Sequence, residues 1–198
     1  ITWDTTGLSY NVSQSNEISK LEMNPNYPDS IFAVTGNNIL LTVDGGGSWT
    51  IVGPNGRWRD IHYKPGNTNI LYAMKQTSGI SNVYRSIDAG ATWQVCNNGV
   101  SNINKRRPLI AVTPANPEVV YALFSDNGWG FHGIYKSIDG GDNWNLQSNT
   151  PNILGRDTDG TSTGGQSWYD MSLAVSIEDE NHLYVGGINL WESTDGGV

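Results

Sequence analysis

The chain has 198 residues and a formal net charge of −8, with 11 Lys and Arg against 19 Asp and Glu. That balance argues against nucleic acid or an anionic membrane as the main partner, since both need a basic surface. Only 15% of residues are charged, whereas Gly (24) and Trp (8) are frequent, which points to an all-β, turn-rich chain rather than a helical or disordered one. No apolar run is long enough to cross a bilayer. The single cysteine, Cys96, excludes an internal disulfide.

The elements follow in chain order as four similar units. The chain opens on Ile1-Thr2-Trp3, with neither an initiating Met nor a leader-like segment, which predicts a processed product or an excised segment. A turn at Asn24-Pro25 precedes the strand residues Ile31-Phe32-Ala33, and Ile39-Leu40 then leads into Thr42-Val43-Asp44-Gly45-Gly46-Gly47-Ser48-Trp49. The second unit repeats this with Lys64-Pro65, Leu71-Tyr72-Ala73, Val83-Tyr84 and a motif from Ser86 through Asp88 to Trp93. The third has Thr113-Pro114, Val120-Tyr121-Ala122, Ile134-Tyr135 and a motif from Ser137 through Asp139 to Trp144. The fourth has Glu178-Asp179, Leu183-Tyr184-Val185 and Leu190-Trp191, and its motif begins at Ser193 and Asp195 and stops at Val198.

In each complete copy Trp follows Asp by five positions, and successive Asp residues are 44, 51 and 56 apart. These lengths suit a four-stranded propeller blade of about 40–50 residues. The motif has its own physical logic. Glycines supply positive φ in a tight turn, and the Asp carboxylate accepts the turn's backbone N–H groups. The Ser or Thr hydroxyl adds a further bond, and the Trp covers the turn with apolar surface.

The pattern S/T-x-D-x-G-x-T/S-W resembles the Asp-box, or BNR, repeat. It occurs in sialidases, sortilin-type propellers, xyloglucan-cleaving glycoside hydrolases and a photosystem assembly factor. Gly164-Gly165-Gln166-Ser167-Trp168-Tyr169-Asp170 is also similar to segments of secreted bacterial surface repeat proteins. The expected fold is an all-β propeller, or propeller segment, of about four blades, each a four-stranded antiparallel meander. Residues 1–198 form this region, with repeats at 4–49, 50–93, 94–144 and 145–198.

The resemblance implies that the box joins the third and fourth strands on the face opposite the functional one. Asp44, Trp49, Asp88, Trp93, Asp139, Trp144 and Asp195 are therefore expected to be structural. The functional face would be built from the loops before each first strand and between the second and third strands. There the candidate ligand-binding residues are Trp58, Arg59, Trp129, His132, Trp168 and Tyr169, with flat aromatics to stack on sugars and polar groups for hydroxyls. Packing between blades is the competing role for Trp58 and Trp168.

Sialidase activity is disfavoured, because the Arg-Ile-Pro signature is absent and Arg85 precedes a box, away from the loop face. A xyloglucanase-like reaction is the enzymatic alternative. Tyr121-Ala122-Leu123-Phe124-Ser125-Asp126-Asn127-Gly128 is similar to that family's Tyr-Ala-Arg-Thr-Asp-x-Gly-Gly context, with one extra residue and no Arg. Inversion needs a second carboxylate about 6.5–9.5 Å away, for which Asp60 and Asp170 are candidates.

In the insertion 151–166, Asp157 and Asp159 resemble the start of a calcium loop, but the remaining acidic ligands are missing and a plain polar loop is the preferred reading. His62, His132 and His182 are scattered and form no metal set, so no cofactor is expected.

The leading reading is a secreted or cell-surface binding or scaffold module that recognises glycan or protein. A glycoside hydrolase and a purely structural segment of a large surface protein are the alternatives. Because both chain ends fall within a box, the chain is expected to continue into further blades or domains.

Overall fold

The structure is a computed structural model that describes residues 2–198. Ile1, the first residue of the expected box tail, lies outside the described residues. Three four-stranded antiparallel sheets follow one another along the chain. The first contains β1 (Ile18–Met23), β2 (Ile31–Thr35), β3 (Ile39–Thr42) and β4 (Thr50–Ile51). The second contains β5 (Arg57–Lys64), β6 (Asn67–Gln76), β7 (Asn82–Ser86) and β8 (Gln94–Val95). The third contains β9 (Pro108–Val112), β10 (Val120–Ser125), β11 (Phe131–Ser137) and β12 (Asn145–Ser148). A fourth sheet holds β13 (Ser172–Val175), β14 (Leu183–Gly186) and β15 (Leu190–Ser193). The inner strands β1, β5, β9 and β13 contact one another in that order. These are the four blades of a β-propeller.

Two expectations change. The fourth sheet has three strands rather than four, because the chain reaches Val198 within the turn after which β4, β8 and β12 begin in the other sheets. The sheets also straddle the expected repeat boundaries. Each outer strand follows the Trp that ends its sequence repeat, yet it pairs with the strand before that Trp. A one-turn helix, α1 (Tyr10–Ser13), stands outside the all-β expectation.

Alternation of side chains across each strand sends alternate residues to opposite faces, so the core is a series of layers between blades. Phe32, Val34 and Ile39 meet Trp58, Ile61 and Leu71 between the first and second blades. Tyr72, Met74 and Val83 meet Ile110, Val120 and Ala122 between the second and third. Tyr121, Leu123 and Ile134 meet Leu183 and Val185 between the third and fourth. Strand β10 is flanked on both faces and all six of its residues are buried. The end blades show the opposite: Leu21 and Met23 on β1, and Leu190 on β15, are exposed.

The four boxes share one bonding scheme. Asp44 Oδ1 accepts Thr42 Oγ1 (2.6 Å) and the Ser48 N–H (2.9 Å), and Oδ2 accepts Ser48 Oγ (2.7 Å). Asp88 repeats this with Ser86 and Thr92, and Asp139 with Ser137 and Asn143. The truncated fourth box keeps the Ser193 to Asp195 bond at 2.7 Å. These bonds hold the box carboxylates below the ordinary range; the Asn143 side chain is the chief cause at Asp139, which is lowered to about 2. The two turn residues after Asp have positive φ, and the second is glycine in every box. Its missing Cβ also makes room for the preceding blade: a Cβ at Gly90 would lie 2.6 Å from the Phe32 ring, and one at Gly141 would lie 3.3 Å from Tyr72. The second and third boxes are therefore inter-blade sockets as well as turns.

Candidate functional site

The face opposite the boxes is built from the lead-in segments of the inner strands and the loops between second and third strands. Its centre is a cluster of arginines. Arg57 and Arg59 open β5, and both bond Glu17, which precedes β1, at 2.8 and 3.3 Å. Hydrogen bonding from Arg57 is the main cause of the lowered Glu17 pKa. Arg59 also donates to Gln76. Burial, reinforced by repulsion from Arg57, pulls Arg59 down to about 10 against the attraction of Glu17. Arg107, just before β9, donates through Nη1 to the Trp168 carbonyl, while its buried Nε has no hydrogen-bond partner among the described residues.

Beside this cluster runs an aromatic row. The Arg106 guanidinium lies 4.7 Å from the Trp129 ring centroid. Trp129 meets Trp168 edge to face at 6.1 Å, and Trp168 meets Tyr169 at 5.5 Å. Trp168 and Tyr169 are 45% and 62% exposed. The row spans two blades because the 151–166 insertion docks on the β10–β11 loop. The Trp129 carbonyl accepts both the N–H and the Oγ of Ser167, and Gly165 donates to the Gly128 carbonyl. Trp129 sits at φ +66°, a left-handed conformation rare for a bulky residue and costly to maintain.

The three candidate catalytic carboxylates are in different situations. Asp60 is only 5% exposed and accepts the backbone N–H groups of Ile61 (3.1 Å) and Ile110 (3.0 Å), tying β5 to β9. His62 Nε2 lies 3.4 Å and Lys20 Nζ 3.9 Å from it. Asp126 Oδ1 accepts the N–H groups of Gly128 (2.8 Å) and Gly130 (2.9 Å), closing its own loop. Asp170 is next to the aromatic row, and burial raises its pKa.

The binding candidates also divide. Arg59, Trp129, Trp168 and Tyr169 converge on this face. Trp58 is fully buried, donates to the Pro54 carbonyl and packs edge to face on Tyr84, which is the inter-blade packing alternative. His132 is half-buried against Tyr135 and Phe124, and desolvation lowers its pKa. Asp159 is bonded by Thr161 within its own turn, and among the described residues no group of three or more His, Cys, Asp or Glu could hold a metal ion. Arg85 lies at the box face, paired with Asp142 at 2.6 Å. Sequence reading places the run Lys105-Arg106-Arg107 on the loop face as a strand lead-in but gives Arg106 and Arg107 no individual role; the signal was three consecutive cations in an acidic chain.

A crystal structure of an ancestral GH74 enzyme matches 96% of this chain and 26% of its own, with a TM-score of 0.67 and 20% identity. The GH74 xyloglucanase of Xanthomonas campestris matches 90% of this chain and 28% of its own, with a TM-score of 0.68 and 18% identity. The shared feature is the propeller fold. YCF48 from Cyanidioschyzon merolae shares it more distantly, with a TM-score of 0.51 and 18% identity over 88% of this chain and 55% of its own. Among curated proteins, a xyloglucanase of Hypocrea jecorina is 29% identical over 70% of this chain. The chain spans 16% of that protein's length. No family model matches. No helix of the described residues is long and apolar enough to cross a membrane.

Proposed function

We propose that this chain is a carbohydrate-binding propeller unit of Asp-box type that works outside the cell, with the arginine and aromatic face as its ligand surface. The observation that carries the reading is the row Arg106–Trp129–Trp168–Tyr169, assembled from two blades and partly exposed despite its size. Ring faces of this kind stack on the C–H faces of sugars, and neighbouring guanidiniums and amides serve the hydroxyls. The likeness to xyloglucanases gives carbohydrate priority over protein as the ligand. Binding is favoured over hydrolysis because Asp60 and Asp126 are committed to backbone N–H groups.

The test is a glycan panel read by affinity electrophoresis. Trp168→Ala is expected to weaken the best ligand at least tenfold with the melting curve unchanged. Unchanged affinity in that variant would remove the face from consideration.

One observation supports a hydrolytic reading. Asp170 lies on this face beside Tyr169 and Arg107, and burial moves its pKa in the direction a general acid needs. Release of reducing ends from a polysaccharide, abolished by Asp170→Asn, would establish it.

A further inference from the structure

Four of the chain's six arginines stand at the start of β5 (Arg57 and Arg59) or just before β9 (Arg106 and Arg107), in a chain whose net charge is −8. Like charges gather there at a cost, since Arg59 is repelled by both Arg57 and Arg107. One carboxylate, Glu17, offsets the first two. On the other side, Asp170 is the carboxylate that attracts Arg107 most, with Glu17 and Asp60 adding to it, yet none of them accepts a hydrogen bond from Arg107 Nε. Asp60 and Asp126 are occupied by backbone N–H groups. Arg107 Nε is left as a buried donor with no acceptor among the described residues. A buried cationic donor without a partner costs free energy until an acceptor arrives.

We propose that this arginine cluster binds the carboxylate of an acidic sugar, so that the glycan held on the aromatic row is a uronic-acid-bearing polysaccharide. The proposal rests on the carbohydrate reading above and adds the charge of the ligand to it. A guanidinium presents two parallel N–H donors that match a carboxylate. Trp168 supplies both parts of such a site: its exposed ring for a sugar face, and its carbonyl to tether Arg107 beside that ring. An adjacent stacking surface suits a pyranose uronate better than a flexible acidic peptide, which has no flat apolar face. The overall charge of −8 does not preclude this, because fields from distant exposed carboxylates are screened over about 8 Å at physiological salt.

The experiment compares oligogalacturonate, a neutral xyloglucan oligosaccharide of equal length and poly-glutamate, by titration calorimetry on the whole chain. Oligogalacturonate is expected to bind at least tenfold more tightly than the neutral sugar and to weaken as salt is raised. Arg107→Gln should bring the affinities for the two sugars together, so that the charge-dependent preference is lost beyond any weakening common to both. Arg57→Gln, at a more exposed site, should reduce it in the same direction and guards against misfolding of the buried variant. Trp168→Ala should weaken both sugars. Equal affinity for the two sugars, insensitive to the arginine variants, overturns this proposal and leaves the carbohydrate reading standing. Binding of poly-glutamate alone, or of none of the three, overturns both.

Discussion

Replacing Asp60 with Asn separates a structural carboxylate from a catalytic one. The carboxylate serves two backbone donors on different strands, Ile61 N–H at 3.1 Å and Ile110 N–H at 3.0 Å. Asn has one acceptor oxygen, so one of these N–H groups must face an amide NH2 and go unpaired. An unsatisfied buried N–H costs about 1–3 kcal/mol, and the surviving bond loses its charge assistance, for a total of about 2–3 kcal/mol. Lys20 adds little, because it is 3.9 Å away and its side chain is 35% exposed. For a chain of this size that loss lowers the melting midpoint by roughly 4–12 °C. Circular-dichroism melts give the global figure, and hydrogen exchange at the Ile110 amide gives the local one, which should accelerate markedly. A variant that melts within 1 °C of the parent and protects the Ile110 amide equally well would refute the reasoning and return Asp60 to the list of free acids.

The Gly140 carbonyl accepts from both Tyr72 Oη (3.0 Å) and Arg85 Nη1 (2.7 Å), so either donor can be lost without orphaning it. Tyr72→Phe and Arg85→Met are each expected to cost about 1 kcal/mol, and the double variant about 1 kcal/mol more than their sum, by urea unfolding. Ala89 occupies φ +57° where the other three boxes have glycine, so Ala89→Gly should stabilise the chain by about 0.5–1 kcal/mol in the same assay. Lys105 is 0% exposed, its Nζ lies 4.8 Å from the Phe124 ring centroid and has no hydrogen-bond partner among the described residues, and burial lowers its pKa from 10.5 to about 8. The charged form is the one disfavoured in the fold, so the penalty is complete below pH 8 and is relieved as pH rises from there towards 10.5. Lys105→Met should therefore raise the melting point at pH 7 by an amount worth about 2 kcal/mol or more, with the gap closing towards pH 10. A constant gap across that range would show that the lysine's charge is not the cause.

Much of the fold was legible because the box is a local device. Each Asp bonds residues within four positions of itself, so its geometry is written in consecutive letters and recurs wherever they recur. The site was only partly legible. Tryptophan at a strand lead-in reads the same whether it faces solvent or a neighbouring blade, and Trp58 and Trp168 took opposite outcomes. The bonds of Asp126 to Gly128 and Gly130 are as local as those of a box, but the sequence context drew attention to its chemistry instead.

The sequence by itself determined the strand order, the four turns and the identity of their carboxylates, because those depend on neighbours along the chain. Tertiary structure decided what each blade does to the next. The residues at Phe32, Tyr72 and Tyr121 share one register and each seats against the following box, a pairing across 58 to 75 positions in the case of Phe32 and Gly90, Tyr72 and Gly141, and Tyr121 and Gly196. Arg106, Trp129 and Trp168 likewise become one surface only when the 151–166 insertion docks on the loop before it. Contacts at such separations leave no fixed spacing in the sequence, because they are set by how adjacent sheets pack and not by the chain between them.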